Sequence, residues 1–211
     1  VCLKEIKSWR LLLNEIRKIK NFGPYDVVID AQGLIKSSIV SRFIKSKKRV
    51  GFDKRSIRES LATFLYTDQV YIDYSKNTID RMVELICFPI GVKVSRDQII
   101  NKSVFIHTSS RVKVPKSPYI VLVMGSTWEN RNYPKEKFLR VAKSLQVCCV
   151  VLWGNEKEKE IAFWMKQQSD LIEVLPLLSL DELKYVIKNS TLLIGNDTGP
   201  THMAWGLNTP S

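Results

Sequence analysis

The chain has 211 residues, 45% apolar and 26% charged, with a formal net charge of +12. That is the composition of a soluble globular chain long enough for one large or two small domains, and no apolar run approaches the roughly 18 residues of a membrane span. Four cysteines (Cys2, Cys87, Cys148, Cys149) show no C-x-x-C or disulfide-framework spacing, and two histidines without a cysteine nearby argue against a metal site. Along residues 4–20, Leu11, Leu12, Leu13, Ile16 and Ile19 recur at helical spacing, and Asn21-Phe22-Gly23-Pro24 ends the pattern. "YDVVIDA" from Tyr25 predicts a short buried strand, "GLIKSSIVSRFIK" a helix, "KRVGF" a strand and "IRESLATFLY" a helix. "QVYI" predicts a weak strand. "NTIDRMVELICFPIG" predicts a helix with Asn77 as cap and Asp80 in its first turn. The polar stretch from Val92 to Pro118 marks a boundary, giving expected domains 1–110 and 111–211.

The second half repeats the alternation. "YIVLVMG" predicts a buried strand, "PKEKFLRVAKSL" a helix with Pro134 in its first turn, "VCCVVLWG" a strand and "EKEKEIAFWMKQQS" a helix. "LIEVL" is a short strand, and "SLDELKYVIKNS" a helix capped by Ser179 with Glu182 as capping-box partner. "TLLIGN" predicts one more strand and "GPTHMAWGL" one more helix. Strands alternating with helices imply an α/β fold of parallel sheets with helices on both faces.

In such sheets ligands bind beyond the carboxyl ends of the strands. Asp197-Thr198-Gly199 lies at one such end, where a helix N-terminus suits a phosphate. Thr198 adds a hydroxyl, Asp197 can accept from sugar hydroxyls, and His202 follows one turn in. The plain alternative is an N-cap at Asp197 or Thr198 beside a packed His202. "MGSTWENRNYP" brings Ser126, Thr127 and Arg131 to the same side, good phosphate ligands unless this is an ordinary polar loop. "LWGNEKE" places Glu156 at the top of the sheet, where a carboxylate can take both ribose hydroxyls, or can simply favour the first turn of an exposed helix. "VLPLLSL" offers an apolar wall for a base. Together these predict a nucleotide site.

The charge is uneven. Residues 1–60 hold 15 Lys and Arg against 6 Asp and Glu, and the stretch from Arg42 to Arg58 holds eight cations against Asp53 alone. Such a field attracts a phosphate-rich partner: nucleic acid, an anionic membrane surface or a phosphorylated substrate. Nucleic acid is disfavoured, because the basic stretch lacks interleaved aromatics and any known recognition motif.

"VVIDAQGLIKS", "RESLATFLY", "YPKEKF", "WGNEKE", "EVLPLLSLDEL" and "GNDTGPTHMAWGLNTPS", in this order, resemble the glycosyltransferase family 9 lipopolysaccharide heptosyltransferases, particularly the heptosyltransferase I branch. The resemblance implies a GT-B-like architecture of two Rossmann-like domains. It implies inverting transfer of L-glycero-D-manno-heptose from ADP-heptose to Kdo2-lipid A, without metal or other cofactor. It implies a cytoplasmic protein in peripheral contact with the anionic inner membrane. Donor-binding roles fall on Ser126, Thr127, Arg131 (where the family often has Lys), Glu156, Asp197, Thr198, Gly199 and His202. Acceptor-binding roles fall on Lys36 and Arg58. The family's catalytic Asp would lie upstream of Val1, so both domains are expected to be truncated and the 211 residues alone to be inactive. Heptosyltransferase II, another ADP-sugar transferase, or a non-catalytic nucleotide-binding fragment are the alternatives.

Overall fold

The computed structural model describes residues 17–115, 118–125 and 133–211. The chain forms two compact units, Val1–Lys102 and Ser103–Ser211. Residues 103–110, placed with the first domain by sequence, therefore go with the second. There Val104 and Ile106 pack against the second unit's core, as Val112 and Val114 do after them, and Phe105 N–H donates to Gly206 O at 3.3 Å.

The first unit is built on three parallel strands, β1 (Tyr25–Asp30), β2 (Ser46–Phe52) and β3 (Asp68–Val70), in the order β1-β2-β3. Its core gathers Val50, Phe52, Ala62, Val70, Ile72 and Leu85. Helix α1 (Ile35–Phe43) buries two serines, Ser38 and Ser41, rather than its isoleucines. Their hydroxyls donate back to Ile35 O (2.8 Å) and Ser38 O (2.7 Å), which satisfies them without help from the sheet. Helix α2 (Thr78–Cys87) is capped as expected, with Asn77 Oδ1 accepting from Ile79 N–H at 2.9 Å.

The segment "IRESLATFLY" departs from the expected α-helix. Ser60–Leu65 is a 3₁₀ turn, with Ala62 N–H bonded to Glu59 O and Tyr66 N–H to Thr63 O. Thr63 Oγ1 donates to Ser60 O at 2.8 Å, holding the tighter winding, and Tyr66 is pulled inward to Asp30. The polar stretch after residue 92 also holds a short helix, α3 (Arg96–Ile100), which begins with a Ser95/Gln98 capping box.

Asp30 ends β1 at 6% exposure. Its Oδ1 accepts from Gln32 N–H (3.0 Å) and Gly33 N–H (3.2 Å), and its Oδ2 from Ser37 Oγ (2.8 Å) and the Tyr66 hydroxyl (2.7 Å). The Tyr66 ring lies over Gly51, where a Cβ would overlap it. Burial and the neighbouring Asp30 carboxylate hold the Tyr66 phenol well above the ordinary tyrosine range.

The second unit is a four-stranded parallel sheet in the order β6-β5-β4-β7: β4 (Tyr119–Val123), β5 (Cys148–Leu152), β6 (Ile172–Val174) and β7 (Leu192–Gly195). All five residues of β4 are buried, as a central strand covered on both faces requires. One face packs α4 (Lys135–Leu145) and α5 (Glu156–Gln168) through Phe138, Leu139, Ala142, Ala162 and Met165. The other packs α6 (Leu180–Lys188) and α7 (Gly199–Leu207) through Val186, Ile187, Ala204 and Leu207. Pro134 is the cap of α4 and accepts from Lys137 and Phe138 N–H. The Ser179/Glu182 capping box on α6 is present. Among the described cysteines all three are free thiols. Burial raises the Cys149 thiol to about 11, so it is a packing residue rather than a nucleophile.

Candidate nucleotide site

The chain leaves β4 for β5 and β6 on one side and returns to β7 on the other, so the switch point lies between β4 and β7. A cavity of about 410 Å³ opens there, at the carboxyl ends of all four strands. Val123 and Gly125 enter it from β4, Leu152 to Gly154 from β5, Leu175 to Leu178 from β6, and Thr198 and Pro200 from the start of α7.

Each wall has a local cause. Trp153 Nε1 donates to Leu175 O at 2.7 Å, which ties the end of β5 to the apolar run after β6 and holds that run as one side of the cavity. Asn155 caps α5, its Oδ1 accepting from Glu158 N–H at 3.0 Å, and Glu158 at the third helical position turns back so that its Oε2 accepts from Gly154 N–H at 2.7 Å. The other oxygen, Oε1, lies over Gly125, where a Cβ would overlap it. Gly125 is thus the space in which a carboxylate sits at the cavity wall.

Glu158, not Glu156, lines the cavity. Glu156 is the first helical residue; its side chain is exposed and pairs with Lys159 at 3.2 Å. The N-x-x-E spacing from Asn155 to Glu158 is the sequence signal that separates the two, because a third-position acid folds back over the helix start and a first-position acid does not.

At β7 the buried Asn196 joins two elements. Its Nδ2 donates to Met124 O, and its Oδ1 accepts from Tyr133 N–H at 3.2 Å. Thr201 Oγ1 donates to Asn196 O at 2.7 Å. Asn196 directly precedes the Asp197-Thr198-Gly199 cluster, and nothing in the local sequence marks these partners. Thr198 is the N-cap of α7, and its side chain makes no bond to the first turn, so the helix start faces the cavity without a side-chain cap. Among the described residues nothing lies within 4 Å of the position a Cβ on Gly199 would take, leaving room for a ligand to approach the backbone. Asp197 and His202 are both exposed and pair with each other, Nε2 to Oδ1 at 3.2 Å, beside rather than on the cavity wall. Ser126, Thr127 and Arg131 lie outside the described residues.

On the first unit, Lys36 is exposed in the first turn of α1, and Arg58 is exposed just before the 3₁₀ turn. Both belong to one neighbourhood, since Glu59 Oε2 accepts from Ile35 N–H at 2.7 Å.

Among the described residues, no group of three or more His, Cys, Asp and Glu is placed to hold a metal ion, and no helix is long and apolar enough to cross a membrane.

The sequence profile of glycosyltransferase family 9 (heptosyltransferase) matches residues 15–211. Lipopolysaccharide heptosyltransferase 1 of Campylobacter coli is 37% identical over 226 residues, covering 99% of this chain and 64% of that protein. The Pseudomonas aeruginosa protein of the same name is 28% identical, covering 97% of this chain and 57% of that one. The chain therefore spans about three fifths of the length of these curated relatives. Among solved structures, Escherichia coli heptosyltransferase WaaC with ADP-2-deoxy-2-fluoro heptose aligns with a TM-score of 0.77 at 23% identity, over 98% of this chain and 67% of that one.

Proposed function

Because the chain belongs to glycosyltransferase family 9, we propose that it acts in an inverting heptosyltransferase of type I, which transfers L-glycero-D-manno-heptose from ADP-heptose to Kdo2-lipid A at the cytoplasmic face of the inner membrane. The observation that carries this reading is the switch-point cavity, which combines one carboxylate, one uncapped helix start and one apolar wall. The names of the relatives, and the ADP-sugar analogue in the Escherichia coli structure's title, support the choice of donor.

In this reading the adenine lies against the Leu175–Leu178 wall and Glu158 accepts from the ribose hydroxyls. The diphosphate meets the Thr198/Gly199 helix start, whose dipole favours negative charge. Ser126, Thr127 and Arg131 complete its shell. By exchanging their mutual pairing for the ligand, His202 reaches the outer phosphate and Asp197 accepts from the sugar hydroxyls. As the acceptor oxygen bonds to the anomeric carbon and the bond from that carbon to the diphosphate oxygen breaks, charge grows on ADP, and the helix start, Ser126, Thr127, Arg131 and His202 stabilise the leaving group without a metal. A carboxylate base takes the proton of the acceptor hydroxyl. Lys36 and Arg58 attract the acceptor's anionic groups.

Calorimetric titration with ADP and, in parallel, UDP tests the donor site. ADP is expected to bind, UDP to bind at least about tenfold more weakly, and Glu158→Ala to lose about 10- to 150-fold in ADP affinity, the equivalent of one charge-assisted hydrogen bond. Equal affinities for the two nucleotides, or an unaffected Glu158→Ala variant, would remove the assignment. Transfer from ADP-heptose to Kdo2-lipid A, followed by mass spectrometry of the lipid, tests the reaction.

A further inference from the structure

Helix α1 is amphipathic in the wrong sense for a helix on a sheet. Its buried residues are Ser38 and Ser41, while Ile35 and Ile39 are 37% and 44% exposed. Ile35, Ile39 and the half-buried Phe43 recur every four residues, so they line the face turned away from the sheet. The neighbouring 3₁₀ turn repeats the inversion. It buries Ala62 and Thr63 and leaves Leu61 64% and Phe64 82% exposed. The two elements are joined where Glu59 Oε2 accepts from Ile35 N–H at 2.7 Å. Two segments tied by that bond hide small side chains and present large apolar ones, and such exposure costs free energy in water.

The rim of this surface is cationic. Lys36, Arg42, Lys45 and Arg58 are all exposed on or beside these elements. None of the four has a carboxylate partner among the described residues. Glu59, at the rim, accepts from the Ile35 N–H. A second copy of the chain docking the same face would set these cations against their own kind, which disfavours a two-fold contact. Aliphatic groups ringed by Lys and Arg suit a different partner: an interface whose surface is anionic and whose interior is hydrocarbon.

We infer that the outward face of α1 and the 3₁₀ turn Ser60–Leu65 is the surface by which the first unit docks on an anionic phospholipid bilayer, Leu61, Phe64, Ile39 and Ile35 entering the acyl region and the cations meeting lipid phosphates. This rests on the membrane setting of the proposed function but not on its chemistry. Docking needs neither donor nor acceptor, so its failure leaves the ADP cavity standing.

The test is flotation of the full chain with vesicles of phosphatidylcholine, alone or with phosphatidylglycerol. Binding is expected only with phosphatidylglycerol. Leu61→Ser combined with Phe64→Ser is expected to weaken it at least about tenfold. Arg42→Ser and Lys45→Ser are each expected to weaken it about fivefold at low salt. Phe64→Trp, a change at an exposed position, gives an independent readout: its added fluorescence should be quenched by vesicles with brominated acyl chains. Unchanged binding in the Leu61/Phe64 variant, or no quenching of the indole added by Phe64→Trp, would overturn the assignment of this face. So would a concentration-dependent dimer in sedimentation velocity that the Leu61/Phe64 variant abolishes while vesicles are not bound. Absence of any vesicle binding would overturn both the face and the membrane setting.

Discussion

Each unit carries a polar side chain at the carboxyl end of a strand, just before a helix, and the residues that follow it are put to opposite uses. In the first unit Asp30 is sealed. Four donors, from Gln32, Gly33, Ser37 and Tyr66, saturate its carboxylate, and little of it reaches solvent. In the second unit the polar residue at the strand tip, Asn196, is also saturated, but the residues after it stay open. Thr198 starts α7 without capping it, and a cavity opens beside it. The same position in an α/β unit can lock a loop or receive a ligand. What separates them is whether the chain itself supplies the donors that a carboxylate or a phosphate would otherwise seek.

The comparison breaks most visibly at Asp30. Replacing it with Ala strands the Tyr66 hydroxyl and two backbone N–H groups and leaves Ser37 only its bond to Leu34 O, and is expected to cost about 3 kcal/mol or more of stability. A urea unfolding curve would show this, with ADP affinity per folded molecule unchanged. Next is the open strand end, where Glu158→Ala is expected to move ADP affinity by about 1.5–3 kcal/mol and leave the urea midpoint nearly in place. A fall in stability with no loss of affinity would make Glu158 a sealing residue like Asp30. The sealed end can then be sharpened with Tyr66→Phe, expected to cost about 1 kcal/mol at neutral pH through one lost hydrogen bond. That difference depends on pH with a definite sign. The Tyr66 phenol is held above its ordinary value in the folded state, so its contribution is intact below about pH 10. It is lost as pH rises beyond that, because the unfolded chain ionises first. Wild type and Tyr66→Phe should therefore converge in urea midpoint above pH 10. Tyr119, which donates to Val186 O at 2.7 Å in the other unit, is raised to about 12 by burial and should lose its share over the window from about 10 to about 12. Smallest of all is Glu156→Ala, expected to change ADP affinity by no more than about 0.5 kcal/mol, as removal of an exposed ion pair would. A larger loss would restore Glu156 to the site in place of Glu158.

Most of the second unit is written in local pattern. The apolar run of β4 announces a strand covered on both faces, and the cap Ser179 stands at the spacing its bonds require, as Asn77 does in the first unit. What is not local is less legible. The Ser60–Leu65 turn winds as 3₁₀ because Thr63 bonds back to Ser60 and Tyr66 is drawn to a carboxylate 36 residues away in sequence. No helical period encodes that second pull. Helix α3 carries its own capping box at Ser95 and Gln98, a signal lost inside a stretch that reads as polar linker. In the site, the strand ends and their loops follow from the alternation of elements, whereas the choice between Glu156 and Glu158 depends on which acid folds back over the helix start. The role of Asn196 is not legible, because an asparagine beside Asp-Thr-Gly looks like turn chemistry and its partners Met124 and Tyr133 are remote in sequence.

Asn196 also sets a clock. The Tyr133 N–H precedes helix α4 and has no place in that helix's own ladder; it is held by the Asn196 side chain, whose backbone N–H is in turn held by Val123 O at 3.1 Å. If the Asn196 side chain and backbone release together, these two amides exchange with solvent at one rate, although one lies before a helix and the other at a strand tip. The entrance of α4 is then tied to the tip of β7. Slow exchange at Tyr133 would report that the strand ends framing the cavity are held as a single preorganised rim before any nucleotide arrives.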